Sequence, residues 1–247
     1  MTYTKYDASG NNFVIFYTNE EKDYSKHAIK LCSKEYFDTD GLIVIVPHGT
    51  LDFKWLFYNN DGSIASMCGN GTRAVAHYAY NHNIAKENMT FLTQAGEISC
   101  IVTNNIVETQ MTTPQEIKKS FVEDGYDCWI VDTGVPHVVI RIDNLDKFNI
   151  ETCIKFRKKY NANVNFVELQ DDFLRVRTYE RGVEGETLAC GTGMIACFLR
   201  MQNLELIKNK IDVYPKSNEL IQIRQNNGNL YLKGAVKIIS KKEILSI

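Results

Sequence analysis

Short runs rich in Val, Ile, Phe and Tyr recur along this chain, most of them closed by Asn, Gly or Asp. Such runs predict strands at 12–17, 42–46, 51–58, 89–93, 97–102, 106–111, 129–132 and 137–142. The same signal continues at 163–169, 173–179, 210–214, 219–224 and 230–239. Helices are predicted at 25–33, 69–82, 151–160 and 191–202. Two of these stand apart. Met194, Ile195, Ala196, Cys197, Phe198 and Leu199 leave no polar face, and Ala74, Val75, Ala76, Tyr78 and Ala79 leave almost none. A helix that is apolar all round is buried. Strands around a buried helix imply a sheet curled about it, and two such helices imply two similar units.

An internal echo points the same way. Cys68-Gly69-Asn70-Gly71 resembles Cys190-Gly191-Thr192-Gly193, and each stands directly before one of the buried helices. The expected fold is therefore α+β, with two similar pseudo-symmetric domains, each a curled, mainly antiparallel sheet around a central buried helix. The break is expected near Thr113-Pro114, giving domains 1–113 and 114–234. The last strand, within 235–247, is expected to return to the first domain.

Composition narrows the function classes. The chain has 247 residues, enough for two domains that each bury a core. Apolar residues make up 44% and charged residues 23%, as in globular proteins. Net charge is −2 with scattered basic residues, which argues against a nucleic-acid groove or a membrane patch. The first ten residues show no basic stretch followed by an apolar one, so no signal peptide is expected. Seven cysteines, an odd number in a chain that is not small and shows no secretion signal, imply free thiols and a cytoplasmic location. Metal binding is not expected, because no C-x-x-C is present and His137 does not fall at ligand spacing.

The echoed motif suggests a chemistry. A helix start presents unpaired N–H groups and a partial positive charge, which suit a carboxylate. The same field favours a thiolate, whose free thiol titrates at roughly 8.5. Two such starts could hold one carboxylate and place a sulfur on each face of the adjacent carbon. One thiolate then removes the α-proton while the other thiol protonates the opposite face, so no cofactor is needed. The plain alternative is that a cysteine before glycine is a small buried hydrophobe. Cys32, Cys100, Cys128, Cys153 and Cys197 lack the motif and are read as structural.

Four segments carry a resemblance to the diaminopimelate epimerase family: KYDASGNNF (5–13), NNDGSIASMCGNGTR (59–73), TGVPH (133–137) and YERGVEGETLACGTG (179–193). The resemblance runs nearly end to end. It implies an active site in the cleft between the domains and interconversion of LL- and meso-2,6-diaminopimelate, serving lysine and peptidoglycan precursor synthesis. It implies Cys68 as proton donor and Cys190 as acceptor for the LL substrate, with Glu180 and His137 tuning the reacting centre. Asn11, Asn59, Gly69, Asn70, Asn163, Glu180, Arg181, Gly191 and Thr192 match the family's binding positions. Arg181 suits a distal carboxylate. The resemblance allows a homodimer, which no sequence feature decides.

Each position also has a plainer reading. Residues 59–62 would pass for a turn, Pro136-His137 for a strand entry, and Glu180-Arg181 for a surface ion pair. Three departures stand out. Val135 replaces the usual Asn before Pro-His, so either a neighbour such as Thr133 supplies the missing polar contact or the substrate differs slightly. An extra residue between Arg181 and Cys190 requires a bulge and leaves Glu184 and Glu186 unplaced. Gly41 stands where some members carry a polar binding residue. Two competing functions remain: a proline racemase-like enzyme, which needs no distal grip, and a non-catalytic thiol redox or binding protein. Isomerases related to phenazine synthesis share the fold but generally lack the cysteine pair.

Overall fold

The computed structural model of the chain describes residues 2–244. It divides into two compact units, Met1–Thr109 with Gly234–Ile247, and Gln110–Lys233. The first unit contains β1 (Thr2–Ala8), β2 (Asn11–Tyr17), α1 (Ser25–Leu31), β3 (Gly41–Val46) and β4 (Phe53–Asn59). It continues with α2 (Gly69–Asn81), β5 (Asn88–Thr93), β6 (Gly96–Thr103) and β7 (Ile106–Gln110). The second holds β8 (Gln115–Glu123), β9 (Tyr126–Asp132), β10 (Pro136–Arg141), α3 (Ile150–Tyr160), β11 (Asn163–Gln170) and β12 (Phe173–Glu180). Then come β13 (Gly185–Thr187), α4 (Gly191–Asn203), β14 (Lys210–Tyr214), β15 (Ile221–Asn226) and β16 (Asn229–Ala235). A final strand, β17 (Lys237–Glu243), pairs antiparallel with β1. Of the segment 235–247, residues 245–247 lie outside the described residues.

The two units repeat one pairing plan. In the first, neighbours run β17-β1-β2-β3-β4-β5-β6-β7, antiparallel except for β2 with β3 and β4 with β5. In the second they run β8-β9-β10-β11-β12-β14-β15, antiparallel except for β10 with β11 and β12 with β14. Even the irregularities correspond: the β1–β17 and β8–β9 ladders both carry register shifts. A parallel pair cannot be closed by a hairpin and needs a crossover. Helices α1 and α2 supply the two crossovers of the first unit, α3 and α4 those of the second.

Alternation along the strands sends successive side chains to opposite faces. Phe13, Ile15, Ile43 and Ile45 join the core around α2, whereas Val14, Phe16, Leu42 and Val44 join the one beneath α1. In the second unit Val139, Val167, Leu174 and Val176 pack with α4, and Val138, Ile140, Val164 and Phe166 pack with α3. Each sheet thus curls around one helix and carries a second on its outer face. Helices α2 and α4 begin with Gly-Asn-Gly and Gly-Thr-Gly, which are poor helix formers. Burial holds them: a fully buried apolar side chain contributes about 1.5–3 kcal/mol, and ten of the thirteen residues of each helix are buried.

The stretch 230–239, read as one strand, is two. Residue Val236 separates β16 from β17 and donates its N–H to Asn105 O, because the chain leaves the second unit here and enters the core of the first. No helix among the described residues is long and apolar enough to cross a membrane.

Candidate active site

In the first unit, the strand ends and the start of α2 gather the selected residues. Register aligns Phe13, Gly41 and Asn59 across β2, β3 and β4. Cys68 is the N-cap of α2, with extended backbone, and its sulfur accepts from Gly71 N–H at 3.5 Å. The caps of such helices are usually oxygen; here a sulfur occupies the place. Behind it runs a directed chain of donors. Fully buried Arg73 donates through Nη2 to Ser9 Oγ (2.8 Å) and to Asn70 Oδ1 (3.0 Å). Asn70 Nδ2 donates to Asn11 Oδ1 (2.8 Å), and Asn11 Nδ2 donates to Asp40 Oδ2 (3.1 Å). Asp40 also accepts from Asn12 N–H at 2.8 Å. Asn59 closes a turn: Gly62 N–H donates to its carbonyl, and its Nδ2 donates to Ser63 Oγ at 2.9 Å.

The second unit builds the equivalent corner with different chemistry. His137 pairs in register with Asn163, and Val164 with Tyr179, so His137, Asn163 and Glu180 stand where Phe13, Gly41 and Asn59 stand in the first unit. Cys190 precedes α4, but its sulfur takes different partners. It lies 3.5 Å from Thr192 Oγ1 and hydrogen-bonds the Glu180 carboxylate. Glu180 also accepts from Thr187 Oγ1 at 2.5 Å. Burial raises its pKa, against which the Thr187 and Cys190 hydrogen bonds work. His137 is fully buried, with Nε2 3.0 Å from Thr192 Oγ1 and Nδ1 3.0 Å from Asn165 Nδ2. Burial depresses its pKa to about 3, so the ring is neutral in the physiological range.

Asn163 is less free than a ligand-binding amide should be. Its Oδ1 accepts from Arg181 N–H at 2.7 Å, leaving Nδ2 near His137. Arg181 is half-buried and donates through Nη1 to Asn161 O, at the left-handed cap of α3. The plainer reading of Glu180-Arg181 as one ion pair does not describe them: the carboxylate turns to Cys190 and Thr187, the guanidinium to Asn161.

The three departures resolve physically. Thr133 Oγ1 donates to Thr192 O at 2.9 Å, so that hydroxyl fixes the start of α4 and keeps only its acceptor lone pairs free. The extra residue is taken up at Glu184, whose φ is +53°, and its carboxylate pairs with Arg157 on α3. Glu186 pairs with Arg177 and Lys216. At Gly41 a Cβ would meet Phe57 Cε2 at 2.7 Å and Tyr58 O at 2.8 Å, so no side chain fits without repacking.

The second glycines of the motif face inward. At Gly193 a Cβ would stand 2.3 Å from Asn165 Oδ1, and at Gly71 its nearest contacts would be Cys68 Cβ and Ile43 Cδ1 at 3.4 Å. They serve packing against the sheet. Sequence reasoning missed Asp40, Arg73, Asn165 and Thr178. The available signal was the Asn163–Asn165 spacing of two, which puts both amides on the α4 face of β11. The remaining cysteines are all buried and free. Burial pushes their thiols up, to about 11 for Cys32 and about 12 for Cys100, Cys128 and Cys153. A surface groove of about 630 Å³ lined by Tyr17, His48, Tyr78 and His82 contains none of the selected residues. Among the described residues no group of three or more His, Cys, Asp or Glu is placed to hold a metal.

Solved structures share this architecture. A phenazine biosynthesis protein from Bacillus anthracis matches with a TM-score of 0.77 at 16% identity, covering 100% of this chain and 99% of that one. A probable proline racemase from Agrobacterium radiobacter matches with a TM-score of 0.75 at 10% identity, covering 98% and 92%. At these identities the likeness defines the fold: the two-unit α+β architecture that these proteins have in common. Sequence goes further. The diaminopimelate epimerase family matches residues 3–117 and 129–239. The diaminopimelate epimerase of Campylobacter lari is 50% identical over 239 residues, 96% of each chain, and that of Helicobacter pylori 38% identical over 258 residues, 97% of this chain and 94% of that one. The chain belongs to the diaminopimelate epimerase family.

Proposed function

We propose that the protein is an isomerase that interconverts LL- and meso-2,6-diaminopimelate with two thiols and no organic cofactor. The observation that carries the mechanism is the repetition of a cysteine before a buried helix in two units of one topology, within a chain of this family. For the LL substrate, the Cys190 proton passes to the Glu180 carboxylate, whose burial makes it a stronger base than an exposed one. The Cys190 thiolate then takes the α-proton. The Cys68 thiol returns a proton to the opposite face of the same carbon, leaving a thiolate that the Gly71 N–H partners. The reverse reaction exchanges the roles. Helix-start N–H groups at Gly69-Asn70 and Gly191-Thr192 stabilise the charge that develops on the carboxylate. Asn11 and Asn59 present amides, Asn163 its Nδ2 alone because Arg181 N–H holds its Oδ1, and Arg181 a guanidinium, to the second amino-acid end of the substrate. The reaction supplies lysine and peptidoglycan precursors, and we place it in the cytoplasm, with a homodimer as the assembly to test.

The experiment is exchange of solvent deuterium into diaminopimelate by the reduced protein. One α-position should exchange, and Cys68→Ala and Cys190→Ala should each abolish turnover. Absence of exchange at saturating substrate rejects the enzyme and leaves the thiol-sensor alternative. Exchange into proline but not diaminopimelate would favour the racemase alternative.

A further inference from the structure

We infer that Asn165 is a positioning residue that fixes His137 as its Nε2–H tautomer and so aims a chain of hydrogen-bond donors at the Cys190 sulfur. The deduction follows from donor and acceptor chemistry. Asn165 is fully buried. One of its amide atoms lies 3.1 Å from Val138 O, a group that only accepts, so that atom is Nδ2. The other, Oδ1, accepts from Thr178 Oγ1 at 2.9 Å, which agrees. The same Nδ2 lies 3.0 Å from His137 Nδ1. Two donors cannot face each other at that distance, so Nδ1 carries no proton and a neutral ring must carry it on Nε2; the other amide donor near the ring, Asn163 Nδ2, stands 3.5 Å from Nε2, half an ångström beyond the Thr192 contact, and gives way to it. That N–H points to Thr192 Oγ1, which frees the Thr192 hydroxyl hydrogen for Cys190 Sγ at 3.5 Å.

A second observation supports a built device. Gly193 leaves space for the Asn165 amide, since a Cβ there would stand 2.3 Å from Oδ1 and 3.2 Å from Thr178 Oγ1. The first unit, at the equivalent positions, has Ile43 beside Gly71 and Phe13 in place of His137, and no such relay. The charged and titratable groups around the relay are Arg181, which opposes a proton on His137 as burial does, and Glu180 and Cys190 at its far end. When Cys190 gives its proton to Glu180, the Thr192 hydroxyl is already turned toward the new thiolate. This role rests on the two-thiol reading above, whereas the tautomer itself does not.

The test is nitrogen NMR of the full chain labelled in histidine, with His137 assigned by the resonance lost in His137→Gln. The expected wild-type state at neutral pH is a neutral ring protonated at Nε2. Protonation at Nδ1, or an imidazolium, overturns the inference even if the protein turns over diaminopimelate. Asn165→Asp presents a carboxylate that can only accept, and should move the ring proton to Nδ1. With folding intact, kcat should fall at least tenfold, KM should change less than about twofold, and Cys190 alkylation by iodoacetamide at neutral pH should slow about tenfold or more, the scale of one hydrogen bond to charged sulfur. A folded Asn165→Asp with unchanged tautomer, kcat and alkylation rate overturns it. Should that variant fail to fold, the wild-type tautomer decides alone. A protein with the expected tautomer but no exchange of diaminopimelate would reject the proposed function while leaving the assignment of Asn165 intact.

Discussion

The Glu180 carboxylate is half-buried at the end of β12 and hydrogen-bonded to Cys190, the residue that opens α4. This places an elevated base against the sulfur proposed to take the α-proton, and a consequence for stability follows. Burial raises the carboxyl above its ordinary value, so the folded chain holds that proton to higher pH than the unfolded chain does. Its contribution to stability is therefore best at acid pH and declines as pH rises through the folded-state value. Glu180→Gln removes the declining contribution. Urea melts from about pH 4 to about pH 8 should show the variant gaining on the wild type as pH rises, while kcat falls about 10²- to 10⁴-fold. A stability difference that moves the other way would mean that the carboxylate is stabilised in the fold.

Arg181 offers a cleaner separation of binding from stability. Its one hydrogen bond to Asn161 O is at the surface and is worth about 0.5–1.5 kcal/mol. A bidentate grip on a substrate carboxylate is worth more. Arg181→Ala should therefore raise KM about 10- to 100-fold with little loss of stability, and Arg181→Lys should recover only part, because an ammonium lacks the planar fork. Normal KM in Arg181→Ala would remove the distal grip from the proposed site.

Thr192 stands between the His137 ring and the Cys190 sulfur through one hydroxyl. Its backbone carbonyl is held separately by Thr133. Thr192→Val keeps the shape and deletes the hydroxyl, leaving a buried His137 N–H without its partner at a cost of about 1–3 kcal/mol. The expected outcome is a fall in kcat of about tenfold, recovered in Thr192→Ser. Equal rates for Thr192→Val and wild type would show that the hydroxyl is only a structural brace.

Much of this was legible in the chain. Runs such as Gly41–Val46 and Lys210–Tyr214 are apolar or alternating and end at turn residues, and the two apolar helices were visible from composition alone. What escaped notice has a physical cause. Strand β8, QEIKKSFVE, is an edge whose side chains are mostly exposed, so its polar and charged residues follow no burial period and only its backbone ladder makes it a strand. Strand β1 hides behind Thr, Lys and Asp although Tyr3, Thr4, Tyr6 and Ala8 are buried. In the site, the cysteines were legible because the motif repeats. Asn165 was not, because an asparagine between Val164 and Phe166 declares neither its partner nor its orientation until β10, β12 and α4 surround it.

The repeated motif also makes a prediction in which its two copies must differ. Both second glycines lie in the first turn of a buried helix, where replacing Gly by Ala favours the helix by about 1 kcal/mol. At Gly71 the added methyl would find Cys68 Cβ and Ile43 Cδ1 at 3.4 Å and Trp55 Cζ3 at 3.5 Å, ordinary packing distances, and the N–H to the Cys68 sulfur is retained. At Gly193 the methyl would be driven into the Asn165 amide at 2.3 Å and the Thr178 hydroxyl at 3.2 Å. Neither can retreat without breaking a buried hydrogen bond, so overpacking of about 1–3 kcal/mol outweighs the gain in propensity. Gly71→Ala should thus stay within about 1 kcal/mol of wild type in urea unfolding, within the propensity term, whereas Gly193→Ala should be clearly destabilised and lose activity. The partial suppressor of Gly193→Ala is a smaller residue at 165: Asn165→Ala in the same chain should restore stability toward that of Asn165→Ala alone without restoring kcat. Equal effects of the two glycine substitutions would mean that residue 193 is constrained by its helix and not by the side chain it faces.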